Sequence, residues 1–281
     1  MIRRVTALTI GSWLCVFSAP AVRAQINQAS RLAGEPPKIL NIVHQLLIPG
    51  KGSAYAQLLG HIAKTYAQAQ IPVYWIQAQS LTGSYGEMSL NFFDSFANAE
   101  AALNTLAQTV ASRPTLAQMQ EQLLGYVSSE TNTIAVRRDD ISYHAATIDF
   151  SKASVLRVAT ILVRQGHEDE FAQAMKDLSA AYGKLNADAP WATYQVNAGA
   201  PSTTFVILMP MRSLKEMDDY IARTRALRDA EGDPVYLRLQ ETARNAYVSW
   251  DSEIYIVNAA VSHVADDFAA GDPQFWRAAK Q

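Results

Sequence analysis

The hydrophobic positions between residues 55 and 66 follow the period of an amphipathic helix, and the same stripe returns in the second half of the chain. Apolar side chains recur every three or four residues, which places them on one helix face. The first stripe is Tyr55, Leu58, Leu59, Ile62 and Tyr66, and the second is Phe171, Ala174, Met175, Leu178 and Tyr182. Each stripe follows a run rich in β-branched residues, at 39–48 and 155–164. The pattern therefore predicts a strand followed by a helix, twice.

Other positions repeat at nearly the same distance. Gly50 and Gly166 each follow the first apolar run and lie 116 residues apart, whereas Gln77 and Gln195 lie 118 residues apart. The change of spacing predicts a two-residue insertion in the second copy, at about residues 186–189. A repeat this long indicates two domain-sized units rather than a solenoid.

Each copy continues with a predicted hairpin, a helical region and a last strand. The predicted hairpin strands are 73–79 and 87–93 in the first copy, and 191–198 and 203–209 in the second; the last strands are 133–138 and 253–258. Strand, helix, strand, strand, helix, strand is the order of ferredoxin-like domains. We therefore predict an α+β protein with two tandem β-α-β-β-α-β domains.

The domain boundaries follow from where the repeat stops. We predict a first domain at residues 35–143, a polar linker at 144–154, a second domain at 155–260 and a C-terminal helical tail at 261–281. Each domain has about a hundred residues, enough for its own apolar core. We expect the tail, which carries two large aromatic side chains, to pack on the domain surface, and a contact with a partner is the alternative.

This pattern resembles the dimeric α/β-barrel superfamily, which includes antibiotic-biosynthesis-type monooxygenases, stress-responsive barrel proteins and haem-degrading enzymes. The resemblance lies in the two strand-turn-helix segments 39–66 and 155–182, with Pro49-Gly50 and Gln165-Gly166 at their turns. It implies that the two domains pack sheet to sheet as a pseudo-dimeric barrel inside one chain. Such a chain could be a monomer or assemble further. A shared fold implies little about chemistry.

The N-terminus predicts export. Residues 1–24 combine a basic start, a short apolar run and small residues before Gln25, which is typical of a cleaved signal peptide. We therefore expect a periplasmic or secreted protein without a membrane span after cleavage. The whole chain has 24 basic and 26 acidic residues, a balance that does not favour nucleic-acid binding. Cys15 is the single cysteine, so the exported chain would contain neither disulfides nor a thiol nucleophile.

Polar residues that alternate with apolar ones on the strands mark a candidate cavity between the sheets. The candidates are Asn41, His44, Gln45, Trp75, Gln77, Arg157, Thr193 and Gln195. In the repeat, Arg157 takes the place of Asn41, and Thr193 and Gln195 are matched with Trp75 and Gln77. Such a lining suits a small apolar or weakly acidic ligand. The alternative is that these groups form ordinary hydrogen bonds between packed sheets.

Among the candidates, His44 has no counterpart in the second copy, where Thr160 stands. This asymmetry is compatible with a functional role, but a core histidine with a local partner is favoured, because no second ligand stands nearby in the sequence. His167 opens an acidic helix start without the second histidine of a zinc helix. We therefore predict no metal site.

No recognisable catalytic set emerges from the sequence. Nucleophile elbows, phosphate-binding loops and dinucleotide fingerprints are absent. We therefore predict an exported small-ligand-binding or non-catalytic barrel with no cofactor, and an enzyme is not favoured. The alternatives are a cofactor-independent monooxygenase or haem-handling enzyme, which the family resemblance implies, and a protein-interaction module.

Overall fold

The structure is a computed structural model that describes residues 36–230 and 234–278. The predicted signal peptide lies outside the described residues. In the first half of the chain the elements are β1 (Ile39–Leu47), α1 (Gly52–Gln68), β2 (Ile76–Ser80), β3 (Gly86–Phe93), α2 (Phe96–Ser112), α3 (Pro114–Leu124) and β4 (Val127–Arg137). In the second half they are β5 (Val155–Val163), α4 (Glu168–Lys184), β6 (Ala192–Ala198), β7 (Thr204–Met211), α5 (Glu216–Ala230), α6 (Pro234–Ala246) and β8 (Tyr247–Val257). Two short helices follow, α7 (Asp266–Ala269) and α8 (Pro273–Ala278).

The two predicted helical stripes are the buried faces of α1 and α4. Tyr55, Leu59, Ile62 and Tyr66 are buried in α1, and Leu58 packs against the same cluster. In α4 the stripe beginning at Phe171 is buried in the same way. Each large apolar side chain removed from water contributes about 1.5–3 kcal/mol, so these faces hold each helix on its sheet. The strand-helix prediction is confirmed in both halves.

The eight strands form one closed antiparallel barrel in the order β1-β3-β2-β8-β5-β7-β6-β4. Each half contributes four strands. The halves join at two seams, where β2 pairs with β8 and β4 pairs with β6. The two sheets therefore face each other across the interior and also share hydrogen bonds at both edges. The predicted fold class, an α+β pseudo-dimeric barrel within one chain, is confirmed.

The barrel interior is filled by apolar side chains from alternate positions on the strands. They include Leu40, Leu90, Leu156, Tyr194, Leu208 and Tyr255, all at most 2% exposed. A barrel of eight strands has an interior just wide enough for such side chains. The helices cover the outer face, and each half has a separate apolar cluster between helix and sheet.

One end of the barrel is covered by the crossing between the halves and by the C-terminal helices. Ile148 and Phe150, from the crossing, belong to the same apolar cluster as the barrel interior. Phe268 and Trp276 add to it from the tail, and the Trp276 indole donates a hydrogen bond to the Ser151 carbonyl at 2.6 Å. These segments are therefore parts of the core.

The register of the repeat differs from the predicted one at β2 and β6. Trp75 corresponds to Trp191, because each makes an isolated bridge to the segment that follows a strand of the other half. Their indoles donate to equivalent carbonyls, Val261 at 2.9 Å and Ile141 at 3.2 Å. The predicted match of Trp75 with Thr193 is therefore wrong by two residues.

The two-residue insertion lies in the β6–β7 hairpin. Gln79 pairs with Glu87, and Gln195 pairs with Phe205, so Gln195 corresponds to Gln79 rather than to Gln77. The predicted insertion before β6 is therefore wrong. The difference has a simple cause, because a hairpin connection accepts extra residues without disturbing the strand pairs on either side.

Among the helices of the described residues, none combines the length and the apolar character that a membrane crossing requires.

Candidate functional site

Most of the predicted cavity residues lie on the outer face of the barrel, beneath the helices. These are Asn41, Gln45, Trp75, Gln77, Arg157, Thr193 and Gln195. Their strand neighbours, such as Leu40 and Ile42, or Leu156 and Val158, point into the interior instead. The expectation that the seven line a space between the two sheets is wrong. The physical reason is that the closed interior excludes water, whereas the layer beneath the helices supplies hydrogen-bond partners.

Gln45 and Gln77 belong to one buried polar network on the first half. The Tyr55 hydroxyl of α1 donates to the Gln45 carbonyl oxygen at 2.5 Å, and the Gln45 amide donates to Glu130 at 2.7 Å. The Gln77 amide donates to Glu87 at 3.0 Å. Burial raises the pKa of Glu87 to about 7.

The other outward candidates are held by local hydrogen bonds. The Thr193 hydroxyl donates to the Ile141 carbonyl at 2.9 Å, and the Asn41 amide donates to the Thr133 carbonyl at 3.2 Å. The Gln195 side chain accepts from Arg138 and donates to the Ser202 carbonyl. Such bonds are what structural polar groups make. Ligand binding by these residues stays a prediction.

His44 is the candidate that faces the interior. Its imidazole makes an edge-on contact with the Tyr255 ring, with 6.3 Å between centroids. Its neighbours across the strands are Met88 and Thr131. Among the described residues, the His44 Nε2 atom has no hydrogen-bond partner although it is buried. The structure separates His44 from the other seven candidates by the thickness of the sheet.

Arg157 is a buried cation to which the described part of the chain offers no carboxylate partner. Its side chain extends from the outer face of β5, and the residue is 9% exposed. The guanidinium lies over the Tyr220 ring of α5, 4.5 Å from the centroid, and one of its nitrogens is 3.1 Å from the Met209 sulfur. No Asp or Glu in residues 36–230 or 234–278 forms an ion pair with it. A buried charge normally has an ionic or hydrogen-bonding partner, so this site is unusual.

Met209 and Tyr220 form part of the wall of a cleft of about 440 Å³ in the second half. The cleft lies between α5, the end of β7, the segment before β6 and the crossing between the halves. Arg157 lies directly behind its Met209 and Tyr220 wall. Arg223, also from α5, lines the cleft itself. In the described chain the Arg223 Nε atom is buried and has no hydrogen-bond partner.

One guanidinium group, that of Arg223, therefore lines the cleft, and a second, that of Arg157, lies behind its Tyr220 wall. A second tyrosine, Tyr182 of α4, lies close by. Its hydroxyl interacts electrostatically with the Tyr220 phenol and with the charges of Arg157 and Arg223. Burial raises the pKa of Tyr182, so this phenol is a neutral hydrogen-bonding group near neutral pH. This part of the cleft offers aromatic walls, phenol hydroxyls and positive charge.

Carboxylates lie on the cleft as well, and some of them have partners. Asp149 pairs with Lys152 at 2.9 Å, and Glu216 accepts a hydrogen bond from the Arg212 backbone at 3.1 Å. Asp188 and Asp219 complete the acidic lining. The two arginines beside Tyr220 remain without acidic partners among the described residues.

The first half lacks this arrangement. Its corresponding crevice is narrow and apolar, and it is lined by residues such as Tyr74, Phe92 and Ala102. Asn41 occupies the position that Arg157 has in the second half. Asn41 pairs with Asn91 across β1 and β3, and Arg157 pairs with Met209 at the equivalent place across β5 and β7. Within the described residues, the duplicated fold therefore carries a charged cleft on one side only.

Sequence reasoning found Arg157 but missed Met209, Tyr220 and Arg223. Tyr220 and Arg223 lie three residues apart on α5, which places them on one helix face. That spacing was the sequence feature that could have indicated a shared tyrosine-arginine surface. It does not tell which strand the face covers, and the sequence alone therefore did not connect the pair with Arg157.

No group of three or more metal-ligating side chains is present in residues 36–230 and 234–278.

No protein family and no curated protein matches the sequence. Solved structures do match in fold. A putative monooxygenase from Fusobacterium nucleatum is 10% identical, with a TM-score of 0.51 over 80% of this chain and 93% of that one. A putative monooxygenase from Lactobacillus acidophilus is 9% identical, with a TM-score of 0.48 over 78% and 93%. A chlorite dismutase variant from Candidatus Nitrospira defluvii is 7% identical, with a TM-score of 0.47 over 80% and 92%. At such identities the likeness concerns the fold, and the chain has the dimeric α/β-barrel architecture.

Proposed function

We propose that this protein binds a small molecule with a carboxylate or similar anionic group in the cleft beneath α5. The observation that carries the proposal is that Arg157 lies over the Tyr220 ring while Arg223, on the same helix as Tyr220, lines the cleft, and neither arginine has an acidic partner in the described chain. A carboxylate would accept hydrogen bonds from the Arg223 guanidinium and would be further stabilised by the positive charge of Arg157 behind the wall.

The side chains that line the cleft indicate the shape and polarity of the rest of the ligand. Tyr220 offers an aromatic surface and Met209 a polarisable one, and both suit a flat apolar body. A cleft of about 440 Å³ has the volume of a small-molecule site. The acidic residues Asp188 and Asp219 also line the cleft, where they would repel a second anionic group. The proposed ligand class is therefore a monoanionic aromatic acid.

A haem-dependent activity is not supported by the histidines. His167 pairs with Glu170 at 2.8 Å, the His263 ring bonds the Ile71 carbonyl, and His61 and His144 are exposed. His44 lies inside the barrel, where a porphyrin would have to occupy space that Met88, Leu90 and Tyr255 fill. These histidines do not fit a haem, and the proposed ligand site does not involve one.

The proposed setting of this binding protein is outside the cytoplasm. The support is the signal-peptide pattern of residues 1–24. The mass of the chain recovered from the periplasm or medium tests this, because cleavage before Gln25 would remove residues 1–24. A full-length chain in the cytoplasmic fraction would contradict it.

Replacing Arg223 with alanine is expected to weaken binding of benzoate or phenylacetate at least about tenfold, because a hydrogen bond to a charged group contributes about 1.5–3 kcal/mol. Isothermal titration calorimetry of the purified chain measures this. Benzamide, which has the shape of benzoate without its charge, is expected to bind the wild-type protein at least about tenfold more weakly than benzoate.

The matched control is Arg225→Ala, which removes an exposed arginine from the same helix. Its affinity for benzoate should equal that of the wild type. Equal loss in both variants would mean that the overall charge of α5, rather than the cleft, attracts the anion. If the wild-type protein binds benzoate no better than benzamide, the proposed ligand class is wrong.

A further inference from the structure

The buried network on the first half contains a carboxyl group that no cation of the described chain faces. Glu87 is 3% exposed and extends from β3 beneath the first turn of α1. It accepts a hydrogen bond from the Gln77 amide at 3.0 Å, and Gln77 is itself fully buried. The Ser89 hydroxyl donates a hydrogen bond to the side-chain carbonyl oxygen of Gln77.

The same network attaches α1 to the sheet. The first turn of this helix has no side-chain cap, and its preceding residue is Lys51. The Tyr55 hydroxyl donates to Gln45 at 2.5 Å instead, and Gln45 donates to Glu130. Gly52 packs against the Tyr85 hydroxyl, which occupies the space that a Cβ at residue 52 would fill. The start of α1 therefore depends on polar contacts with the strands below.

The second half has apolar residues at the corresponding positions. Ile161 and Phe205 are paired across β5 and β7 as Gln45 and Glu87 are across β1 and β3. Phe171 takes the place of Tyr55, and its ring packs on Phe205 with 4.4 Å between centroids. One fold thus holds its first helix in two ways, by a polar network in one half and by aromatic packing in the other.

We propose that Glu87 is a proton-binding site that couples pH to the attachment of α1. In its neutral form the carboxyl group is compatible with a layer of amide and hydroxyl partners. When it loses the proton, a buried negative charge lies beneath the first turn of α1 without a compensating cation. Weakening of the contacts at the start of α1 follows, because a buried unpaired charge is costly.

Hydrogen bonds from the Gln77 and Gln79 amides favour the charged form of Glu87, but burial outweighs them, and no cation of the described chain faces this carboxyl group. Gln45 on β1 and Gln77 and Gln79 on β2 are neutral. The Tyr55 phenol on α1 and the Tyr85 phenol of the hairpin are weak acids. Glu130 on β4 accepts a hydrogen bond from Gln45, and as a carboxyl group it supplies no positive charge to the network. Deprotonation of Glu87 therefore weakens the attachment of the start of α1 to the sheet.

The sign of the pH effect follows from burial. Burial raises the pKa of Glu87 from 4.5 to about 7. The neutral form therefore stabilises the native attachment fully below pH 4.5, and this contribution is lost as the pH rises through 7. The difference between 4.5 and about 7 corresponds to a change of at most about 300-fold in the opening equilibrium, reached when the pH passes from well below 4.5 to well above 7.

Amide hydrogen exchange at about pH 6 and pH 8, corrected for the intrinsic exchange rate, tests the proposal on the full chain. Protection factors in the first two turns of α1 are expected to fall by about fivefold to tenfold at the higher pH, since part of the effect already occurs below pH 6. The control helix is α4, whose first turns pack on Phe205, and its protection factors should stay within about twofold. In Glu87→Gln, which keeps the shape without the titration, α1 should lose its pH dependence.

Two results would overturn the proposal. One is an equal loss of protection in α1 and α4, and the other is an unchanged pH dependence of α1 in Glu87→Gln. If this variant does not fold, the carboxyl ¹³C resonance of Glu87 in the wild-type protein decides the question. A titration midpoint near that of an exposed glutamate would exclude a proton-binding site here.

Discussion

Replacing Trp276 with alanine is expected to lower the free energy of unfolding by about 3–5 kcal/mol, the cost of truncating a large buried aromatic side chain. Trp276 is 1% exposed although it stands close to the C-terminus. Its indole donates to the Ser151 carbonyl at 2.6 Å, and its ring packs edge-on against Phe268 and Phe275. Urea unfolding followed by circular dichroism measures the effect.

Trp250→Ala is the matched control, because it makes the same chemical change at a residue that is 59% exposed. It should alter the unfolding free energy by less than about 0.5 kcal/mol. If Trp276→Ala is equally mild, the C-terminal helices do not close the barrel end, and the packing described for the tail is wrong.

Gly199→Ala is expected to destabilise the protein by at least about 2 kcal/mol. Gly199 follows β6 at the seam between the halves, with a φ of +92°. A Cβ there would lie 2.0 Å from the Asn132 carbonyl oxygen, which is backbone and cannot rotate away. The substitution therefore combines an unfavourable backbone conformation with a clash between the two halves. The midpoint of urea unfolding reports the loss.

Gly183→Ala provides the opposite expectation in the same chain. Gly183 lies within α4, and a Cβ added at this residue would have no neighbouring atom within 4 Å. Alanine there should stabilise the protein by about 0.5–1 kcal/mol, since it favours the helix and restricts the unfolded chain. Equal effects of the two substitutions would contradict the close approach of the halves at Gly199.

The fold could be predicted because its signals are local and repeated. The stripes that begin at Tyr55 and Phe171 state the helical period twice, and Gly50 and Gly166 mark the same turn with positive φ in both copies. Hydrophobic periodicity indicates which positions are buried. Because the pattern is duplicated, the assignment of a helix in one half supports the assignment of its counterpart in the other. The order of the elements predicted the ferredoxin-like halves, whereas their pairing was implied by the resemblance to the dimeric α/β-barrel superfamily.

The faces of the strands could not be predicted in the same way. Asn41 and Gln45 alternate with apolar residues, but alternation does not tell whether the polar face meets helices, solvent or a second sheet. The interior here is apolar, and the polar side chains meet Tyr55 of α1 and other partners on the outer face. Similarly, Arg157 is far from Arg223 in the sequence, and only the folded chain brings α5 over β5.

Side-chain NMR shows most clearly whether the arginine that lines the cleft of the second half receives an anionic ligand. Benzoate is titrated into the ¹⁵N-labelled protein while the arginine Nε–H resonances are followed. We expect a saturable shift of Arg223, a smaller shift of Arg157 behind the cleft wall, and none of Arg225 on the exposed face of α5. If Arg223 and Arg225 shift alike, or none of the three responds, the cleft is not the binding site.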